Sequence, residues 1–169
     1  YEIYQCDWSS DVCSSDLRTP QGYSLVQSVP GGTQSSVMPP NTIELDLILK
    51  EMDEREIDMY ALSMTNPMVY WCPAQFGLKL SIAHNDACAA ACVKYPQRFV
   101  GTISLPMQDS KLAVQELERA AKLPGMRAIY LAENINGKNL HEKEFWPVYE
   151  AAQALNLPLF LHNLYPTGG

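Results

Sequence analysis

The chain has 169 residues, 47% of them hydrophobic and 18% charged, which reads as one globular domain or part of a larger one rather than a disordered or fibrous chain. With 12 Lys and Arg against 19 Asp and Glu, it lacks the clustered basic face that phosphate binding requires, so nucleic acid is not an expected partner. No apolar run approaches the ~20 residues that span a bilayer, and no basic segment leads into an apolar one, so neither a membrane role nor a secretory signal is expected.

Residues 1–17 stand apart from the rest of the chain. They crowd Ser, Asp and Cys together without helical or strand period, and Asp7-Trp8-Ser9-Ser10-Asp11-Val12-Cys13-Ser14-Ser15-Asp16-Leu17 resembles one translated frame of a short-read sequencing adapter. The segment reads as an artefactual leader and is set aside from the fold. Beyond it the cysteines are Cys72, Cys88 and Cys92, a pattern that points to a reducing compartment and a cytoplasmic protein. Cys88 and Cys92 are four apart on one helix face; two thiols do not make a zinc site, so they read as packed core thiols.

Residues 18–40 are rich in Gly, Pro, Ser and Thr, with a short alternating run at Tyr23-Ser24-Leu25-Val26 and a turn signal at Pro30-Gly31-Gly32, which predicts a loop or small hairpin. Asn41 followed by Glu44 suggests a capping box, and Leu45, Ile48, Leu49 and Met52 repeat with helical period, predicting a helix over 42–56. Strand and helix then alternate. Met59–Met64 is an apolar strand; Pro73–Lys94 is a helix with Phe76, Leu80, Ala83 and Ala87 inward. Phe99–Leu105 is a strand, and Asp109 caps a helix over Ser110–Lys122 with Val114, Leu117 and Ala121 buried. Met126–Leu131 is a strand, Glu144–Leu155 a helix burying Phe145, Val148, Tyr149, Ala152 and Leu155, and Leu157–Leu161 a final strand ended by His162. Continuous apolar strands alternating with helices predict a parallel α/β sheet, either doubly wound or part of a barrel. The pattern opens on a helix and stops at a strand end, so both ends read as cut, with a strand expected before Arg18.

In parallel α/β folds ligands lie beyond the carboxyl ends of the strands. Those ends read Thr65-Asn66-Pro67, Pro106-Met107-Gln108-Asp109, Asn134-Ile135-Asn136-Gly137 and His162-Asn163. None resembles a phosphate loop. Asn66 and Asn134 are candidate donors to a substrate carboxylate or hydroxyl; the alternative is that they, like Asn136, cap helices or form turns. His162 leaves an apolar strand at the rim and is the candidate metal ligand, with a hydrogen-bonded rim residue as the alternative. His84, within a helix, and His141, before one, are expected to face solvent, and Asp109 reads as a helix N-cap.

Met52-Asp53-Glu54, Ile57-Asp58 and Leu62-Ser63-Met64-Thr65-Asn66-Pro67 resemble the amidohydrolase-related family that includes aminocarboxymuconate-semialdehyde decarboxylase. So do Tyr95-Pro96-Gln97-Arg98-Phe99-Val100-Gly101, Leu105-Pro106-Met107-Gln108-Asp109 and Leu157-Pro158-Leu159-Phe160-Leu161-His162, in the same order. The resemblance covers nearly all of residues 18–169. It implies an incomplete metal-dependent (β/α)8 barrel retaining strands two to five, with residues 18–40 inserted after the missing first strand and residues 41–169 forming the partial barrel. It further implies a His-x-His after the first strand, a His after the fifth, an Asp after the eighth and a proton-transferring His after the sixth; of these, His162 matches the fifth-strand ligand. Asn163 stands where many relatives have Pro. The expected parent is a divalent-metal enzyme, most simply zinc-dependent, that decarboxylates a small carboxylated substrate, with metal-dependent hydrolysis of an amide, ester or lactone as one alternative and a non-catalytic binding barrel as another. A homodimer is open for the parent, and the chain by itself is expected to be inactive.

Overall fold

A computed structural model describes residues 18–19, 22–29, 32–64 and 68–163, with backbone alone for 18–38. The adapter-like leader and the 65–67 strand end, Asn66 included, lie outside the described residues. Two compact units divide between Asp58 and Met59.

In the first unit, β1 (Arg18–Thr19), β2 (Gly22–Val29) and β3 (Gly32–Met38) form an antiparallel sheet, with β2 and β3 paired from Tyr23↔Met38 to Val29↔Gly32. The hairpin is therefore longer than its one alternating run suggested. A 3-10 turn over Pro40–Thr42 leads into α1 (Leu45–Glu54), which buries Ile48 and Met52. The expected capping box does not form. Thr42 Oγ1 donates to the Pro39 carbonyl at 2.6 Å and Asn41 donates to Glu51 at 2.5 Å, and Glu44 stands at the N-cap with no side-chain cap. Pro40, with its fixed φ, suits the opening of a turn, and the turn places Asn41 before the helix starts.

The second unit holds β4 (Tyr60–Leu62), α2 (Ala74–Lys94), β5 (Phe99–Ile103), α3 (Ser110–Ala120), β6 (Met126–Ala132), a small ladder of β7 (Asn134–Ile135) and β8 (Lys138–Asn139), α4 (Trp146–Ala154) and β9 (Leu159–His162). The sheet order is β4-β5-β6-β9, all parallel, as the alternation predicted. Asp109 caps α3, accepting from Lys111 N at 2.9 Å and Leu112 N at 3.1 Å. A 3-10 turn over Lys143–Phe145 precedes α4, whose start suits Pro147 because a first-turn N–H has no helical partner to lose. Asn156, at φ +52°, ends α4 in the left-handed conformation.

Two predicted helix faces are rotated. On α2 the buried residues are Gly77, Ser81, Asn85, Cys88, Ala89, Ala91 and Cys92, while Phe76, Leu80 and Ala83 are half-buried and Ala87 is exposed. Small residues let this helix approach β5 closely: a Cβ on Gly101 would stand 3.4 Å from Cys88 Cβ. On α3 the inward stripe is Ala113, Glu116, Leu117 and Ala120, with Val114 and Ala121 half-buried. On α4 Phe145, Val148 and Ala152 are buried as expected, Tyr149 is half-buried and Leu155 is exposed. The core forms where α2, α3 and α4 cover one face of the sheet, with Ile103, Leu117, Ile129, Leu131 and Val148 fully buried.

Candidate functional site

The sheet's two faces assign the side chains. Ile129 and Leu131 sit in the helix-covered core, so Tyr130 between them turns to the other face. In the β6–β9 register Tyr130 pairs with Phe160, Leu131 with Leu161 and Ala132 with His162. His162 therefore shares the helix-free face with Tyr130 at the carboxyl end of the sheet. Their ring centroids lie 5.7 Å apart at 57°. The His162 carbonyl accepts from Glu133 N at 3.2 Å. On the opposite side of the strands, Asn163 places its amide 2.8 and 3.1 Å from the Glu133 carboxylate oxygens when its nitrogen faces them.

Asn134 is buried after β6. Its Oδ1 accepts from Gly137 N at 2.6 Å, closing a two-residue turn in which Asn136 and Gly137 have φ of +53° and +86°. That chemistry is the Asn-Gly hairpin signature, so the turn reading of Asn136 is met. The Asn134 Nδ2, by contrast, is buried and has no hydrogen-bond partner among the described residues. Asn134 thus serves the turn with one atom and leaves the other available.

The loops at the carboxyl ends are fastened to one another. Gln108, after β5, donates to the carbonyls of Val69 at 2.7 Å and Cys72 at 2.9 Å, and Asn136, after β6, donates to Tyr70 O at 2.7 Å. Residues 68–70, after β4, are buried and latched from two neighbouring loops. A Cβ at Gly77 would stand 2.6 Å from Gln108 Nε2, so glycine there leaves room for the latch. Behind β5, Asn85 grips Ser104, its Oδ1 accepting from Ser104 N at 2.8 Å and its Nδ2 donating to Ser104 O at 3.0 Å and Glu116 Oε1 at 2.7 Å. Glu116 is 1% exposed and accepts from Arg119 Nε at 2.7 Å, while Arg119 Nη1 donates to Asp86 at 2.8 Å. These bonds, led by that to Glu116, raise the Arg119 pKa. Sequence reasoning passed over this network; the available signal was Glu116 lying in register with Ala113, Leu117 and Ala120, three residues before an arginine.

His84 departs from expectation. It is half-buried rather than solvent-facing, with Nε2 3.4 Å from Cys88 Sγ, and burial lowers its pKa to about 4. Burial, with Cys92 nearby, pushes the Cys88 thiol up to about 12. Cys72, Cys88 and Cys92 are buried and free, which for Cys88 and Cys92 matches packed core thiols. His141 is exposed. Among the described residues no group of three or more His, Cys, Asp or Glu side chains could hold a metal ion, and no helix is long and apolar enough to cross a membrane.

Residues 17–167 match the family model described as Amidohydrolase. The chain is 33% identical over 123 residues to 2-amino-3-carboxymuconate-6-semialdehyde decarboxylase of Dictyostelium discoideum, covering 72% of this chain and 34% of that protein. It is 32% identical over 132 residues to gamma-resorcylate decarboxylase of Polaromonas sp., covering 72% and 39%. Among solved structures, 5-carboxyvanillate decarboxylase of Novosphingobium aromaticivorans, complexed with manganese and 4-hydroxy-3-methoxy-5-nitrobenzoic acid, superposes with a TM-score of 0.65 at 31% identity, over 68% of this chain and 33% of that one. The chain thus spans between a third and two fifths of the length of these relatives, and its four-stranded parallel sheet is part of their barrel type. A family match across nearly the whole chain, on a sheet with a histidine at its carboxyl rim, shows that the chain belongs to the amidohydrolase family.

Proposed function

We propose that this chain is part of a divalent-metal-dependent decarboxylase acting on a small aromatic or cyclic carboxylate. The observation that carries the reading is His162, standing at the carboxyl end of β9 on the helix-free face in a segment about one-third identical to decarboxylases. In this reading β4, β5, β6 and β9 are the second to fifth strands of an eight-stranded barrel, residues 18–40 follow its first strand, and His162 is the fifth-strand ligand.

The residues present fit one corner of a metal site. No hydrogen bond engages the His162 imidazole among the described residues, and imidazole binds both zinc and manganese. No cluster of ligands stands among the described residues, so in this reading the remaining donors would come from outside them. When bound, the metal would fix and polarise the oxygens of the substrate beside the carboxylate to be lost. Within this chain, His162 would hold one coordination position. Asn134, through its unpartnered Nδ2, and Asn66 are proposed as donors to the substrate, and the latched loops after β4, β5 and β6 would keep the rim in shape. The relative's structure holds manganese, so zinc is one member of the proposed metal class. A cytoplasmic location is proposed from the three cysteines that are free among the described residues, and a homodimer is proposed for the parent.

The test is carbon dioxide release from 2,6-dihydroxybenzoate and 5-carboxyvanillate by a full-length barrel carrying residues 41–163, metal-free and then supplied with manganese or zinc. Metal-dependent release supports the reading. Turnover of esters or lactones alone would replace it with the hydrolase, and metal binding without turnover of either class would leave a binding barrel.

A further inference from the structure

We propose that Tyr130 is a positioning residue, a brace that sets the plane of the His162 imidazole from the neighbouring strand. The inference deepens the reading of His162 as a metal ligand and rests on it. Tyr130 and His162 lie diagonally across the β6–β9 pair, because the register partner of His162 is Ala132 and that of Tyr130 is Phe160. Diagonal pairs on one face are within reach of aromatic side chains. The rings are 5.7 Å apart at 57°, within the range of tilted aromatic contacts.

The brace answers a specific need. The torsion that turns an imidazole about its stem is broad and roughly two-fold, whereas a metal accepts one orientation of one nitrogen. In metal sites the second nitrogen usually donates to a carboxylate or carbonyl that locks the ring. Among the described residues no such acceptor engages His162, and the nearby Glu133 carboxylate is taken by Asn163 on the other side of the strands. The Tyr130 ring is what stands against the imidazole instead. Its hydroxyl end lies within reach of the side chain of Ser63, the residue just after β4. Tyr130 therefore reaches from beside β9 toward the opposite edge of the sheet, with its ring against that of His162.

The experiment is a set of affinities for Zn²⁺ and Mn²⁺, read beside melting temperature, in a full-length barrel carrying this segment. Loss of an orienting partner typically costs ~10–100-fold in metal affinity. Tyr130→Leu, which keeps apolar volume and removes the ring, is expected at ~10-fold or more. Tyr130→Phe and Ser63→Ala remove opposite ends of one contact, so each should cost a similar few-fold and the double variant no more than either alone. In the metal-free protein, the ring-current shift on the His162 ring protons should persist in Tyr130→Phe and vanish in Tyr130→Leu. His162→Ala separates the two ideas: if it binds metal as the parent does, the ligand reading falls, and the proton shifts still test the brace. If His162→Ala loses the metal while Tyr130→Leu binds normally, or the Phe and Ser63 effects add in full, the brace is refuted.

Discussion

His162 and His84 are the same side chain in opposite surroundings. His162 stands exposed at the sheet's carboxyl rim, whereas His84 is packed against Cys88. In a full-length barrel, His162→Ala should abolish turnover and lower metal affinity by more than the ~10–100-fold attached to an orienting partner; His84→Ala and His141→Ala should leave bound metal unchanged. Elemental analysis of the purified variants decides it, and full metal occupancy in His162→Ala would return that residue to an ordinary rim position. His84 carries a pH prediction of its own. Its folded-state pKa, about 4, lies below the ordinary 6.5. Between those values the unfolded chain binds a proton that the folded chain refuses, so His84 lowers stability as pH falls from 6.5 toward 4 and adds no further loss below that. The ceiling is about 3 kcal/mol. Thermal melts at pH 7 and pH 4.5 should show a smaller loss in His84→Leu than in the parent; equal losses would mean the ring is hydrated in solution.

The elements are held in place by a few carboxamides. Asn85 satisfies both backbone groups of Ser104 and one oxygen of Glu116, so Asn85→Ala strips three hydrogen bonds from buried groups. Leaving a buried carboxylate less compensated is expensive, and a loss of ~3 kcal/mol or more is expected in a denaturant titration. A loss below ~1 kcal/mol would mean that water replaces the amide. Asp109→Ala should cost ~1 kcal/mol, the usual value of an N-cap, because its two bonds are at an exposed helix start. Helix and strand identities in the second unit were readable from period because α3 and α4 carry apolar stripes and the strands are continuous apolar runs. The inward face of α2 was not, since Gly77, Ser81 and Asn85 are chosen for close approach and hydrogen bonding rather than for hydrophobicity.

The second unit has an open side. Leu159 is 38% exposed, Phe160 61% and Leu161 60%; Phe160 lies on the helix-free face and Leu161 on the helix-covered face, and nothing covers either face over β9 among the described residues. Exposed apolar strands pair with other chains, and an uncovered half-core gives up much of the ~5–15 kcal/mol that stabilises a typical domain. Residues 39–163 alone should therefore self-associate or lack a cooperative melt, and Leu161→Lys should reduce the association. Sedimentation and calorimetry check this; a monomer with a sharp two-state transition would contradict it.

The sequence by itself determined the parallel βα alternation, the Asp109 cap, the Asn136-Gly137 turn and the rim position of His162, because each depends on periodicity or on short-range backbone chemistry. It could not determine that Tyr130 lies against His162, that Gln108 and Asn136 latch the loop after β4, that Asn85 ties α2 to β5 and Glu116, or that His84 is half-buried against Cys88. Those pairings join residues up to 66 apart, and, for Tyr130, the choice of face and neighbour comes from the β6–β9 register. Register and helix rotation are settled by packing across the whole sheet, and that is where the tertiary structure decided the site.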